Sequence, residues 1–116
     1  MDTFYEEDIL GEGFQRTTLS LRDDYEGSAV ATLVRRLSDT VNGRSVLYIH
    51  GFNDYFFQRE MACRLNERSF HFYALDLRKY GRSWLSHQKF NDIRDIRVYF
   101  EEITLALQMI REEGSR

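Results

Sequence analysis

Two short stretches hold the residue types from which a reaction site could be built. The first is "YIHGF", Tyr48–Phe52, where a His-Gly step closes an apolar run. The second is "DLRKYGRS", Asp76–Ser83, where an aspartate, a glycine and a serine follow another apolar run at fixed offsets. Glycine lets the backbone approach a ligand closely, which leaves the N–H of the next residue, Phe52, open to a cleft. Such an N–H suits an oxyanion, whose stabilisation needs donors fixed before charge develops. In the second stretch Asp76 can bond the backbone N–H groups of its own loop, and Gly81 permits a tight turn. The plainer reading is two structured turns, with His50 satisfying buried polar groups, and residue type alone favours it.

Other chemistry-bearing residues are sparse. The three histidines, His50, His71 and His87, form no H-x-x-x-H pair for a metal. His71 falls inside an apolar, aromatic run and reads as a packed residue, and His87 reads as solvated. The one cysteine, Cys63, excludes an internal disulfide framework and a Cys-based zinc cluster, and reads as a small packing residue. Arg78, Lys79, Arg82, Lys89, Arg94 and Arg97 make one region locally basic. A solvated charged loop accounts for them better than a carboxylate or phosphate substrate does. The aromatics Phe52, Tyr55, Phe56 and Phe57 could line an acyl pocket or pack a helix onto a sheet. Phe57 belongs to the packing stripe; Phe52, Tyr55 and Phe56 fit both readings. No cofactor is expected.

The elements around these stretches follow from periodicity. "TTLSLR" (Thr17–Arg22) and "AVATLVRRL" (Ala29–Leu37) are β-rich runs joined by the turn residues "DDYEGS", which predicts an antiparallel hairpin. "SVLYIH" (Ser45–His50) and "SFHFYALDL" (Ser69–Leu77) are near-continuous apolar runs, expected as strands covered on both faces. Phe57, Met61 and Leu65 recur every four residues and predict a helix ending near Arg68. Arg78–Asp92 has no period and reads as a loop. Ile96, Tyr99, Phe100, Ile103, Ala106, Leu107 and Ile110 follow helical spacing, with Asn91 or Asp92 as cap and Gly114 as stop. The order β-β-β-α-β-α predicts an α/β fold with a parallel sheet and an antiparallel hairpin at one edge. Residues 1–16 read as an acidic, loosely structured lead-in.

The 116 residues suffice for one domain, with 42% apolar and 30% charged residues. A net charge of −3 supplies no global basic field for nucleic acid. The acidic N-terminus lacks a basic-then-apolar signal pattern, and no apolar run is long enough to span a bilayer. A cytoplasmic setting is the resulting expectation.

In order and motif, "LYIHGF", a helix, "FYALDLRKYGRS" and a final amphipathic helix resemble the front half of the α/β-hydrolase fold. The nearest branch in pattern is that of serine aminopeptidases and lysophospholipase or monoglyceride-lipase-like enzymes. That branch carries an H-G-x loop and a D-x-x-G-x-G-x-S loop. Asp76, Gly81 and Ser83 match the second loop, while Lys79 stands where its first glycine usually lies. The resemblance implies residues 17–116 as the N-terminal part of a hydrolase domain, stopping before the nucleophile elbow. It implies Phe52 N–H as half of an oxyanion hole, with His50, Gly51, Asp76, Gly81 and Ser83 shaping the loops and Tyr55 and Phe56 available to the substrate pocket. No serine here sits in a G-x-S-x-G elbow, so the chain alone is expected to lack nucleophile, acid and base and to be inactive. The expected substrate of the whole enzyme is a small-molecule ester or lipid. Alternatives are an aspartate-nucleophile relative, or a non-catalytic protein that assembles through an open sheet edge. The expected partners are a second copy or the C-terminal half, because "VLYIH" would form an edge with no lysine or proline to blunt it.

Overall fold

The structure is a computed structural model that describes residues 5–8, 11–40, 43–49, 59–79, 83, 85–88 and 96–113. The strands are β1 (Glu6–Glu7), β2 (Phe14–Ser20), β3 (Val30–Arg36), β4 (Ser45–Ile49) and β5 (His71–Asp76). The helices are α1 (Arg59–Glu67) and α2 (Tyr99–Glu112), the latter entered through a 3-10 turn at Ile96–Val98. The five strands form one sheet in the order β1-β2-β3-β5-β4. β1, β2, β3 and β5 pair antiparallel in succession, and β4 joins β5 in parallel.

Side-chain alternation sorts the sheet into two faces. Ala31, Leu33, Tyr73 and Leu75 point to one face and pack with Tyr99, Ala106 and Ile110 of α2. Phe14, Val34, Phe72 and Ala74 point to the other and pack with Ala62, Met61 and Leu65 of α1. The result is a three-layer α/β arrangement, as the periodicity predicts, and the Met61–Leu65 stripe faces the core as expected.

Several expectations are corrected in detail. The lead-in is not loose along its length. β1 pairs with Gln15 and Arg16, and β2 already begins at Phe14, which has no exposed surface. Gly11 and Gly13, with positive φ, bring Asp8 N–H to the Phe14 carbonyl at 3.0 Å, so this glycine turn builds a strand pair. β4 is only half covered, with Ile49 41% exposed, because β5 is its one neighbour among the described strands. α2 is rotated from the face its apolar residues suggest: Ile96 and Phe100 are 73% and 65% exposed, while Glu102 is fully buried. Its first turn has no side-chain cap. The expected cap, Asn91 or Asp92, the stop Gly114, and the start of the first helix at Tyr55 and Phe57 lie outside the described residues.

Polar locks close the layers. Asn66 donates to the carbonyls of Arg36 (3.0 Å) and Phe70 (2.9 Å) and accepts from the Arg36 guanidinium, tying the end of α1 to the sheet. On the opposite face Glu113, just past α2, accepts from Tyr5 Oη (2.6 Å), Arg35 Nη1 (2.9 Å) and Tyr73 Oη. The Arg35 guanidinium lies 3.4 Å from the Tyr5 ring centroid. Burial, aided by the Glu113 carboxylate, pushes both phenols far above the ordinary tyrosine value. The unfolded chain therefore ionises these phenols first. The stability that they contribute is complete below about pH 10 and declines as pH rises beyond it. Urea midpoints should fall between about pH 9 and 11. The fall should be smaller in a Tyr5→Phe, Tyr73→Phe variant, and an unchanged fall would rule out this origin.

Candidate functional site

β4 and β5 run in parallel with Ile49 opposite Leu75, so the chain leaves both strands at the same end of the sheet. In open α/β sheets this carboxyl end is where ligands bind. Of the residues singled out for chemistry, His50, Gly51, Phe52, Tyr55, Phe56 and Gly81 lie outside the described residues. Asp76 and Ser83 are described and are brought together.

Asp76 is the last residue of β5, 1% exposed and opposite Thr32 of β3. Ser83 is fully buried; its Oγ donates to the Asp76 carbonyl at 2.6 Å and to Thr32 Oγ1 at 3.2 Å. A hydroxyl committed to a backbone carbonyl inside the sheet end is a loop anchor. The bond ties Ser83 to the last residue of β5.

The two cations between these anchors, Arg78 and Lys79, are buried where a solvated basic loop was expected; Arg97 is exposed as expected, and Arg82, Lys89 and Arg94 lie outside the described residues. Arg78 is 3% exposed and grips α2. Its Nη2 bonds Glu102 Oε1 (2.9 Å), Glu101 Oε1 (2.9 Å) and the Val98 carbonyl (3.1 Å), and its backbone N–H bonds Glu102 Oε2 (2.7 Å). Burial alone would lower the guanidinium pKa, but the two glutamates outweigh it and hold the charge firmly. Lys79 turns the other way, toward the Asp24–Gly27 turn between β2 and β3. Its Nζ lies 2.7 Å from both Asp24 Oδ2 and Glu26 Oε1, and 4.4 Å from the Tyr25 ring centroid.

The far end of the loop meets the same turn. His87 Nε2 lies 2.8 Å from the Ser28 carbonyl, and Gln88 Nε2 donates to that carbonyl at 3.1 Å. A Cβ on Gly27, whose φ is +105°, would sit 3.7 Å from the His87 ring. His87 is exposed, as expected, and its ring also bonds the Ser28 carbonyl. His71 accepts the Ser38 N–H at Nδ1 (3.0 Å), a structural bond at the start of β5. Cys63 is half-buried on α1. A groove of about 800 Å3 beside α2 is lined by Arg22, Asp24, Arg78, Phe100 and Glu101 among others.

Glu102, Asp24 and Glu26 are the residues that sequence reasoning passed over. Glu102 left a signal: an acid on the same helical stripe as Tyr99, Ala106 and Ile110 demands a buried cation. Asp24 and Glu26 looked like ordinary turn residues.

No family model and no curated protein matches the chain. Among solved structures it is similar in fold to a PEG-bound complex of a cold-adapted esterase from an Arctic intertidal metagenomic library, with a TM-score of 0.53 at 18% identity. The match covers 98% of this chain and 51% of that one, so the chain spans about half the esterase's length. The shared feature is the fold alone: a mixed sheet between helices, consistent with a partial α/β-hydrolase fold. No helix among the described residues is long and apolar enough to cross a membrane.

Removing Glu102 leaves the buried Arg78 guanidinium with Glu101 as its one remaining carboxylate among the described residues and frees its backbone N–H. Glu102→Ala should cost about 3–5 kcal/mol in urea denaturation. An Arg78→Met, Glu102→Leu double variant should recover most of that loss. A cost below about 1 kcal/mol for Glu102→Ala would mean that water reaches the guanidinium.

Proposed function

We propose that this chain forms the front portion of a serine hydrolase acting on carboxylic esters. The carrying observation is the parallel β4–β5 pair, whose carboxyl ends lie together in a fold shared with an esterase. In this reading the Phe52 N–H, next after the His50-Gly51 step, supplies half of an oxyanion hole. A serine on polypeptide beyond these residues attacks the ester carbonyl, and the Phe52 N–H bonds the oxygen as its charge develops. His50 and Gly51 shape that loop, while Asp76, Gly81 and Ser83 shape its neighbour. Tyr55 and Phe56 are assigned to the substrate pocket in this reading. The resemblance to the serine aminopeptidase and lysophospholipase branch supports lysophospholipids, monoacylglycerols or short peptides as the substrate classes to test. The chain by itself, with no elbow serine, is inactive.

The test uses the polypeptide that joins these residues to an elbow serine. It should hydrolyse a short p-nitrophenyl ester and be labelled by a fluorophosphonate. No labelling, despite the elbow serine, would count against an active serine hydrolase. Phe52→Pro removes the N–H and should lower kcat by about 100-fold or more, with the far-ultraviolet circular dichroism unchanged. A folded variant with full kcat would remove Phe52 from the oxyanion hole.

A second reading rests on β4 as the outer strand of the described sheet, with Ile49 exposed. In it the chain associates with a second copy or with a C-terminal half through that edge. Size-exclusion chromatography of the 116-residue chain should then show species larger than a monomer. A clean monomer at high concentration would dismiss this reading.

A further inference from the structure

Lys79 has a φ of +65°, in the left-handed region that side chains other than glycine rarely occupy. Its side chain has no exposed surface, and its ammonium sits between two carboxylates and over an aromatic ring. A backbone strain and a fully enclosed charge at one residue need a common cause, and the Asp24–Gly27 turn supplies it. That turn is itself braced: Asp24 Oδ1 accepts the Glu26 N–H at 2.8 Å, and Asp24 and Gly27 exchange backbone hydrogen bonds at 2.8 and 3.0 Å. It therefore presents both acids as a fixed socket.

We propose that Lys79 is a positioning residue: its ammonium, seated in the Asp24–Glu26 socket, holds the loop after β5 in the left-handed turn that a glycine would adopt unaided. The β2–β3 hairpin thereby fixes the backbone conformation at Lys79, where the chain leaves the end of β5. This does not depend on the ester-hydrolase reading, since it concerns the loop's path and not its chemistry. The electrostatics agree with the geometry. Burial pulls the Lys79 ammonium toward neutrality, but hydrogen bonds to Asp24 and Glu26 outweigh it and raise its pKa. Burial raises Asp24 in turn, and the lysine outweighs that and lowers it. Arg78, the adjacent cation, faces Glu101 and Glu102 on α2 and does not compete for the socket.

The test compares Lys79→Gly with Lys79→Ala in the 116-residue chain. Both leave the same carboxylates unpaired, so their difference reports the backbone alone. At an ordinary position alanine is the more stable of the two; at a left-handed one glycine is. Lys79→Gly should melt higher than Lys79→Ala by about 4 °C or more, and should retain more amide-exchange protection at Ser83 and Gln88. If only the glycine variant folds, the same conclusion holds. An alanine variant as stable as the glycine one, or a failure of both to fold, would overturn the proposal. The socket is tested separately: Asp24→Asn with Glu26→Gln should cut protection at Ser83 by about tenfold when residue 79 is lysine. The same pair of changes should have no such effect when residue 79 is glycine. Equal effects in both backgrounds would show that the acids do not act through Lys79.

Discussion

The buried ion pair between Arg78 and Glu102 constrains more of this molecule than any single apolar contact. A guanidinium and a carboxylate, each almost without exposed surface, are tolerated inside a protein only when each meets the other and their remaining polar atoms are bonded. Satisfying Glu102 requires both the side chain and the backbone N–H of Arg78. That fixes where the chain turns after β5 and how α2 is rotated upon the sheet. The exposed Phe100 and Ile96 follow from this rotation. Apolar area alone would favour turning Phe100 inward, but doing so would carry Glu102 out of reach of its cation and leave Arg78 buried alone.

Arg78 and Lys79 are neighbours in sequence that point to different parts of the fold. One binds the helix on one sheet face; the other binds the hairpin turn beyond the sheet end. A two-residue segment thus joins α2, β5 and the β2–β3 turn at the place where the chain leaves the sheet. Ser83, bonded to the Asp76 carbonyl and to Thr32, and His87 and Gln88, bonded to the Ser28 carbonyl, extend the same scheme. The described residues after β5 are therefore held by polar bonds to α2, β3 and the β2–β3 turn.

The architecture was largely legible in the sequence, because period-two and period-3.6 patterns report which residues face a layer. They predicted the hairpin, both apolar strands and the last helix, and the His-Gly and D-x-x-K-x-G-x-S stretches pointed to an esterase-like fold. Periodicity failed where a charge overrode it. α2 carries apolar residues around more than half its circumference, so the pattern could not say which stripe would be buried, and the glutamate decided. The socket for Lys79 was invisible for a different reason. Asp24 and Glu26 lie more than fifty residues before it, and turn composition does not reveal that a turn will be used as a binding surface. The departure at Lys79 from the glycine of the resembled loop was the one local clue.

The strand order has a consequence for how the protein is made. β4 precedes β5 along the chain, yet its described pairing is to β5, which in turn pairs with β3. During synthesis the antiparallel β2–β3 ribbon can close early, since its partners are near in sequence. β4 must wait through α1 for the strand that will separate it from β3. Until β5 is inserted, an apolar strand hangs beside an unfinished sheet, and a wrong direct pairing of β4 with β3 competes with the correct one. Contact order therefore puts the interleaving of β5 last among these pairings, and nascent chains that end before Asp76 would be the ones that most need a chaperone.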